Sequence, residues 1–154
     1  MERLPICGRA KERRSMGVLA DIYVSSAERA AEYDANPESF RDEAACWKRF
    51  TVLELSTLWT ALQEREWEVE LIDRFDTVMV KGGGERMIMR LPDELLHDVL
   101  AADDARRDRA LAKWAASEEL ACEVDDVRPF WDDLKRIADV AVTSGRGVFL
   151  WNCV

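Results

Sequence analysis

Two polar residues, Asp21 and Asn152, interrupt the two most apolar segments of the chain and are the first candidates for chemistry. Asp21 lies within residues 18–24 and Asn152 within residues 147–154, where nearly every other side chain is apolar. A buried carboxylate or amide that lacks a hydrogen-bond partner costs about 1–3 kcal/mol. The pattern therefore predicts that each of these side chains has a polar partner inside the fold.

Pairing of the two segments as strands would bring these polar residues together with aromatic rings. We expect Asp21 and Asn152 to lie on one face of the sheet with Tyr23, and Trp151 to lie beside them. Such a group is either a structural polar pair or the floor of a small pocket. The sequence leaves both interpretations open, and these residues are the candidate ligand-binding site.

The chain contains six tryptophans, which is its most unusual feature of composition. Trp59, Trp114 and Trp131 have aliphatic neighbours at helical spacing, which predicts packing in the core. Trp47 and Trp67 fall at the edges of predicted elements, where an indole can line a groove or contact another protein. They are the candidate partner-binding residues.

The only histidine, His97, stands among acidic residues on the polar side of a predicted helix. We expect it to be an ordinary surface residue, so no catalytic residue is predicted. The acidic pairs at 103–104, 125–126 and 132–133 are typical of helix caps and solvated helix faces. No spacing in the chain indicates a metal site, and no motif indicates a cofactor.

Two glycine-containing segments resemble anion-binding loops only superficially. Gly82–Gly84 precedes a predicted strand and lacks the spacing of a phosphate-binding loop, so it predicts a hairpin turn. Arg146 follows Gly145, and a turn that ends a helix accounts for that glycine without an anion.

The formal net charge is −9, and its distribution along the chain is uneven. Residues 1–15 carry five basic and two acidic side chains, whereas residues 16–154 carry a large excess of acidic side chains. Nucleic acids and anionic membrane surfaces bind proteins through Lys and Arg, so this balance argues against both as partners. A protein partner, in particular a basic one, or a homodimer fits the charge better.

Residues 1–15 lack the apolar core of a secretory signal. We expect them to be a disordered basic leader, or to lie upstream of the true start at Met16, and we expect 16–154 to form a single α+β domain. No segment is apolar enough to cross a membrane. The four cysteines have no metal-ligand spacing and are expected to be reduced, which predicts a cytoplasmic protein.

Hydrophobic periodicity predicts the order strand, helices, hairpin, helices, strand. The first helix is expected from a Ser25–Glu28 capping box to about Ala35, and a second from Pro37 to Trp47. Both terminal strands are apolar on both faces. We therefore expect an α+β fold with a small mixed sheet, in which the first and last strands are adjacent and central and amphipathic helices cover the sheet.

Met16-Gly17-Val18-Leu19 and Gly145-Arg146-Gly147-Val148-Phe149-Leu150 resemble the ends of the small bacterial proteins of the YfbM type. The resemblance covers these terminal segments and includes no catalytic motif. It implies an α+β fold, a bacterial source and a start at Met16, and it transfers no function.

From the residues themselves we expect a non-enzymatic protein-interaction module that uses an acidic surface edged by tryptophan. The alternative is a small-molecule binding protein or a minor enzyme, with its pocket near Asp21, Tyr23, Trp151 and Asn152. A concave pocket that contains Asp21 or Asn152 would favour the alternative, whereas an exposed patch at Trp47 or Trp67 would favour the interaction module.

Overall fold

The computed structural model describes residues 18–154, so the predictions for the leader at 1–15 lie outside the described residues. A five-stranded sheet runs through the molecule in the order β2–β1–β5–β4–β3. Its strands are β1 (Leu19–Ser25), β2 (Ala44–Lys48), β3 (Asp76–Lys81), β4 (Arg86–Arg90) and β5 (Gly147–Cys153). The fold is α+β, and the first and last strands are adjacent at the centre of the sheet, as predicted.

Every neighbouring pair of strands is antiparallel, so the expectation of a mixed sheet is wrong. The turn at Gly82–Gly84 joins β3 to β4, and so short a connection can link only antiparallel strands. All three glycines have positive φ angles, between 62° and 101°, which side chains rarely adopt. The predicted hairpin at this position is confirmed.

The α-helices are α1 (Val52–Gln63), α2 (Asp93–Ala101), α3 (Asp104–Ala115) and α4 (Val124–Ser144). Helix α1 begins with a capping box, in which the Leu53 amide donates to Thr51 Oγ1 at 3.2 Å and the Thr51 amide donates to Glu54 Oε1 at 2.7 Å. Helix α4 ends at Ser144, and the following Gly145 caps it with a left-handed φ of 68°. Local residue chemistry thus defines these ends.

The larger hydrophobic core lies between one face of the sheet and the helices. The face of β1 that carries Ala20, Ile22 and Val24 packs there with the apolar stripe of α4. At its centre, the rings of Phe50 and Phe130 stack with centroids 3.9 Å apart. The helical spacing of α4 predicted this packing.

A smaller aromatic cluster occupies the opposite face of the sheet. Two 3-10 helices, Ala30–Asp34 and Pro37–Glu43, cover it. Tyr23 of β1 and Tyr33 of the first 3-10 helix stack with ring centroids 4.1 Å apart. Both faces of the central strands are therefore buried, as predicted, although short 3-10 segments rather than α-helices cover this one.

The two helices predicted between residues 25 and 47 have the wrong type and the wrong bounds: this segment forms the two short 3-10 helices and then a strand. Ser25 is the last residue of β1, paired with Gly147, and its hydroxyl donates to Ser26 O at 2.8 Å instead of capping a helix. Residues 44–48 form β2 rather than the end of a helix. Because Ala44 to Trp47 are all buried, this strand lacks the alternation of polar and apolar residues that would have revealed it.

Candidate functional site

The residues of the predicted ligand pocket lie on two different faces of the sheet. Asp21 is opposite Trp151 in the β1–β5 register, and Asn152 is opposite Ala20. Successive residues of a strand point to opposite faces, so Asp21, Tyr23 and Trp151 share the small aromatic cluster while Asn152 points towards the helices. The expectation that Asp21 and Asn152 lie on one face is therefore wrong.

Asp21 and Tyr23 are enclosed and hydrogen-bonded within the fold. The hydroxyl of Tyr33 donates to Asp21 Oδ2 at 2.7 Å, and Asp21 is only 2% exposed. The hydroxyl of Tyr23 donates to Ala30 O at 2.7 Å. Burial raises the pKa of Tyr23, and the nearby Asp34 carboxylate raises it further. These contacts favour the structural interpretation of the polar residues in β1.

Asn152 is also used inside the fold. Its side-chain amide donates to Leu19 O at 3.1 Å and to Phe50 O at 2.9 Å. The Asn152 amide therefore ties β5 to β1 and to the segment that enters α1. It has the polar partners that its position in an apolar strand predicted.

Sequence reasoning missed Asp34, which lies at the centre of a charged cluster on the aromatic face. The indole of Trp151 donates to Asp34 Oδ1 at 2.9 Å, and Lys81 and Arg86 each place a nitrogen 3.4 Å from this carboxylate. Burial raises the pKa of Asp34, but the hydrogen bond from Trp151 and the charges of Arg86 and Lys81 outweigh it, so the pKa is lowered. The cluster joins a 3-10 helix to β3, β4 and β5.

Trp47, predicted to face a partner, is in the core instead. The residue is 2% exposed, and its indole donates to Asp133 Oδ2 of α4 at 3.0 Å. The expectation of an exposed Trp47 is therefore wrong, because β2 is covered on both faces. Asp133, expected on a solvated face, is buried with it at 6% exposure.

Trp67, the other tryptophan predicted to contact a partner, is at the surface. It is 38% exposed and lies in the connection between α1 and β3. Its indole donates to Ser56 Oγ at 2.8 Å, and Ser56 in turn donates to Leu53 O at 2.7 Å. The chain of hydrogen bonds fixes the indole nitrogen against α1.

Trp67 borders a groove of about 490 Å³, which we call the Trp67 groove. The groove lies between α1, the C-terminal end of α3 and the residues on either side of Trp67. The side chains that line it are Thr57, Thr60, Ala61, Arg65, Glu66, Trp67, Lys113, Trp114, Ala116, Ser117 and Glu119.

The uncharged polar side chains of the groove direct their donors into the protein. Thr57 Oγ1 donates to Glu54 O at 2.8 Å, and Thr60 Oγ1 donates to Thr57 O at 2.9 Å. The indole of Trp114 donates to Glu54 O at 2.8 Å, and Ser117 Oγ donates to Trp114 O at 2.6 Å. The groove therefore offers mainly methyl groups and ring surface to a bound molecule.

The charged side chains of the groove lie at its rim. Arg65, Glu66, Lys113 and Glu119 are all exposed. Charges held in solvent around an apolar depression are suited to ion pairs with a bound partner. Sequence reasoning identified Trp67 alone among these residues; the alternation of glutamate with apolar residues over 66–70 was a further signal that was available.

No family model, curated protein or solved structure matches this chain. The resemblance of the terminal segments to the YfbM-type proteins therefore stays a prediction. Between residues 18 and 154, no helix has the length and apolar character needed to cross a bilayer. The interpretation of the groove thus depends on its own geometry.

The remaining residues considered as catalytic, anion-binding or metal-binding candidates are surface residues or serve the fold. His97 is exposed on α2, as predicted. Arg146 is paired with Glu43 through both terminal guanidinium nitrogens, which occupies the groups that an anion would need. Asp103 caps α3 by accepting from the Arg106 amide at 2.8 Å. Over residues 18–154, no cluster of three or more His, Cys, Asp or Glu side chains could hold a metal ion.

Proposed function

We propose that this protein is a protein-interaction module that binds a segment of a partner protein in the Trp67 groove. The exposure of Trp67 carries the proposal, because the other five tryptophans are each at most 2% exposed. Tryptophan is enriched at protein interfaces and among the residues that dominate their binding energy. A fold that buries every other indole while holding this one at the surface favours a binding role for it.

The fixed orientation of Trp67 supports the same proposal. A ring already held by Ser56 loses little conformational freedom when a partner packs on it. The nearby Val69 is 60% exposed and extends the apolar surface beyond the groove. An apolar side chain from a partner would be able to contact Trp67 and the half-buried Thr57 together.

The alternative function, ligand binding or catalysis near Asp21, has less support. The residues assigned to that pocket are at most 9% exposed, and those with polar side-chain atoms use them within the fold. A ligand would have to displace the 3-10 helices to reach Asp21, Tyr23 and Trp151, and Asn152 lies on the other face of the sheet.

We also propose that the protein acts in the cytoplasm and that its partner is a protein rather than a nucleic acid or a membrane. The net charge of −9 supports the choice of partner. Cys122 and Cys153 are free, which is usual in a reducing compartment.

Selection from a library of short random peptides displayed on phage tests the proposed function. The affinities of the selected peptides are measured for the parent protein, for Trp67→Ala and for Val80→Ala. Val80 is 52% exposed on β3 and is the matched control at another apolar surface position. We expect Trp67→Ala to weaken binding about tenfold or more and Val80→Ala to leave it unchanged.

A second variant tests the groove without altering Trp67 itself. Ala116 is exposed and lines the groove, so Ala116→Gln places a larger neutral side chain in it. We expect this variant to weaken binding while its unfolding transition matches that of the parent. Peptides that bind the parent, Trp67→Ala and Ala116→Gln equally would refute the proposed function.

A further inference from the structure

The surroundings of the Trp67 groove carry a surplus of negative charge. Segments 64–70 and 113–119 flank the groove and contain Arg65 and Lys113 as their only basic residues. Against these they hold six exposed glutamates: Glu64, Glu66, Glu68, Glu70, Glu118 and Glu119. The groove therefore lies in a surface with a net negative charge.

Most of this charge is not balanced by neighbouring residues. Glu64 pairs with Arg109 at 3.0 Å. Within the part of the chain that the structure describes, the other five glutamates have no ion pair. These side chains are therefore open to ion pairs with a molecule that approaches the groove.

Acidic and apolar side chains alternate along the segment that borders the groove. Trp67 and Val69 are exposed between Glu66, Glu68 and Glu70. The backbone at Glu68 is extended, with φ −130° and ψ 142°, so neighbouring side chains point in different directions. Glu68 therefore points away from Trp67, whereas Glu66 and Glu119 line the groove with Trp67, so a single partner segment could contact Trp67 and these two carboxylates together.

We propose, on the basis of the proposed function, that the partner segment is a basic peptide that places one bulky apolar side chain in the groove. Lys or Arg residues on both sides of that apolar residue pair with Glu66 and Glu119. Charge complementarity of this kind steers association and suppresses binding of acidic partners. It also makes the affinity depend on ionic strength.

The same charge argues against a second copy of this chain as the occupant. Each copy would bring the same acidic surface, and the chain as a whole carries −9. Like charges brought together at an interface oppose association. A basic segment of a different protein is the occupant that the surface fits.

Four capped peptides of equal length test this inference by varying two features independently. The central residue is leucine or glycine, and the flanking residues are lysine or glutamine. Their dissociation constants are measured by fluorescence polarisation at low and at high salt. We expect the peptide with leucine and lysines to bind most tightly, about tenfold or more better than either single replacement, and to lose affinity as salt rises.

Two protein variants with the same change of charge locate the effect. The first combines Glu66→Gln and Glu119→Gln, two carboxylates that line the groove. The second, the matched control, combines Glu28→Gln and Asp139→Asn at exposed positions elsewhere. We expect the first to weaken binding of the lysine peptide about tenfold and the second to change it less than twofold at moderate salt.

The outcomes separate this inference from the proposed function. Suppose that the glutamine-flanked leucine peptide binds as tightly as the lysine-flanked one, and that Trp67→Ala still weakens binding of both. The basic partner is then refuted, and the proposed function of the groove is retained. If binding of the leucine peptides is indifferent to Trp67→Ala, the proposed function itself fails. Equal losses in the two charge variants, or no binding by any of the four peptides, would also overturn the inference.

Discussion

The indole of Trp47 on β2 donates a hydrogen bond to the carboxylate of Asp133 on α4, with 3.0 Å between Nε1 and Oδ2. Both side chains are buried, and the contact joins the edge of the sheet to the longest helix. Asp133 also lies 3.5 Å from Arg136, one turn further along α4. The pair gives a buried tryptophan its hydrogen-bond acceptor and places a carboxylate where the amphipathic pattern predicted solvent.

We expect Asp133→Ala to lower the free energy of unfolding by about 1–3 kcal/mol, because the buried Trp47 N–H loses its acceptor. Asp132→Ala is the matched control at the preceding, exposed carboxylate, and should change stability by no more than about 0.5 kcal/mol. Urea denaturation of both variants measures the difference. Equal stability of the two variants would show that the Trp47–Asp133 bond contributes nothing.

The two buried tyrosines of the aromatic cluster should differ in their response to loss of the hydroxyl. Tyr33 donates to the carboxylate of Asp21, whereas Tyr23 donates to the carbonyl of Ala30. Hydrogen bonds to ionised groups are stronger, so we expect Tyr33→Phe to cost about 2–3 kcal/mol and Tyr23→Phe about 1 kcal/mol. Thermal and urea unfolding of both variants check this order, and equal or reversed losses would contradict the prediction.

Asp34 should make the free energy of unfolding decrease at acidic pH. Its pKa is lowered in the fold: burial raises it, but the hydrogen bond from Trp151 and the charges of Arg86 and Lys81 outweigh that effect. A carboxyl of this kind stabilises the fold at pH values above its unfolded pKa of about 3.9, and that stabilisation is lost as the pH falls through the folded pKa. Asp34→Asn should therefore be less stable than the parent at neutral pH by about 1 kcal/mol, and the difference should shrink on acidification.

Urea unfolding of the parent and of Asp34→Asn at a series of pH values measures this difference. Asp42→Asn, at an exposed carboxylate of the next 3-10 helix, is the control and should match the parent at neutral pH. A stability difference between parent and Asp34→Asn that stays constant down to the acid limit would contradict the prediction.

The Glu43–Arg146 pair should couple the second 3-10 helix to the start of β5. Arg146 Nη1 lies 3.0 Å from Glu43 Oε1, and Nη2 donates to the second carboxylate oxygen. The hydrogen bonds from Arg146 lower the pKa of Glu43. Because both residues are partly exposed, we expect a coupling energy of about 0.5–1 kcal/mol in a double-mutant cycle of Glu43→Gln and Arg146→Gln.

Arg146→Lys distinguishes the geometry of the pair from its charge. A lysine keeps the charge but cannot donate two parallel hydrogen bonds to one carboxylate. We expect this variant to lose most of the coupling energy measured by the cycle. Full retention with lysine would show that only the charge of residue 146 matters.

The parts of the fold that depend on local chemistry were predictable from the sequence. Thr51 and Glu54 gave the start of α1, Gly145 gave the end of α4, and the apolar spacing of α4 gave its buried face. The hairpin at Gly82–Gly84 followed from three glycines between two short apolar runs. In each case the residues that determine the structure are close together in the chain.

The parts that depend on distant contacts were not predictable. Asp133 is buried because Trp47 reaches it from 86 residues away, and Asp34 gains its partners from β3, β4 and β5. β2 escaped detection because burial on both faces removes the alternation that identifies a strand. For the candidate site, Trp67 was named, but its groove depends on α1 and α3 meeting beside it.

The central position of β5 has a consequence for how the molecule is made. β5 is the last of the described strands to be synthesised, yet it lies between β1 and β4 and pairs with both. Until residues 147–153 leave the ribosome, the β1–β2 pair and the β3–β4 hairpin have no strand to join them, and each presents an open edge. Open edges attract other chains, and pairing across so long a sequence separation is slow. The nascent protein should therefore depend on protection from aggregation until β5 inserts and completes the sheet.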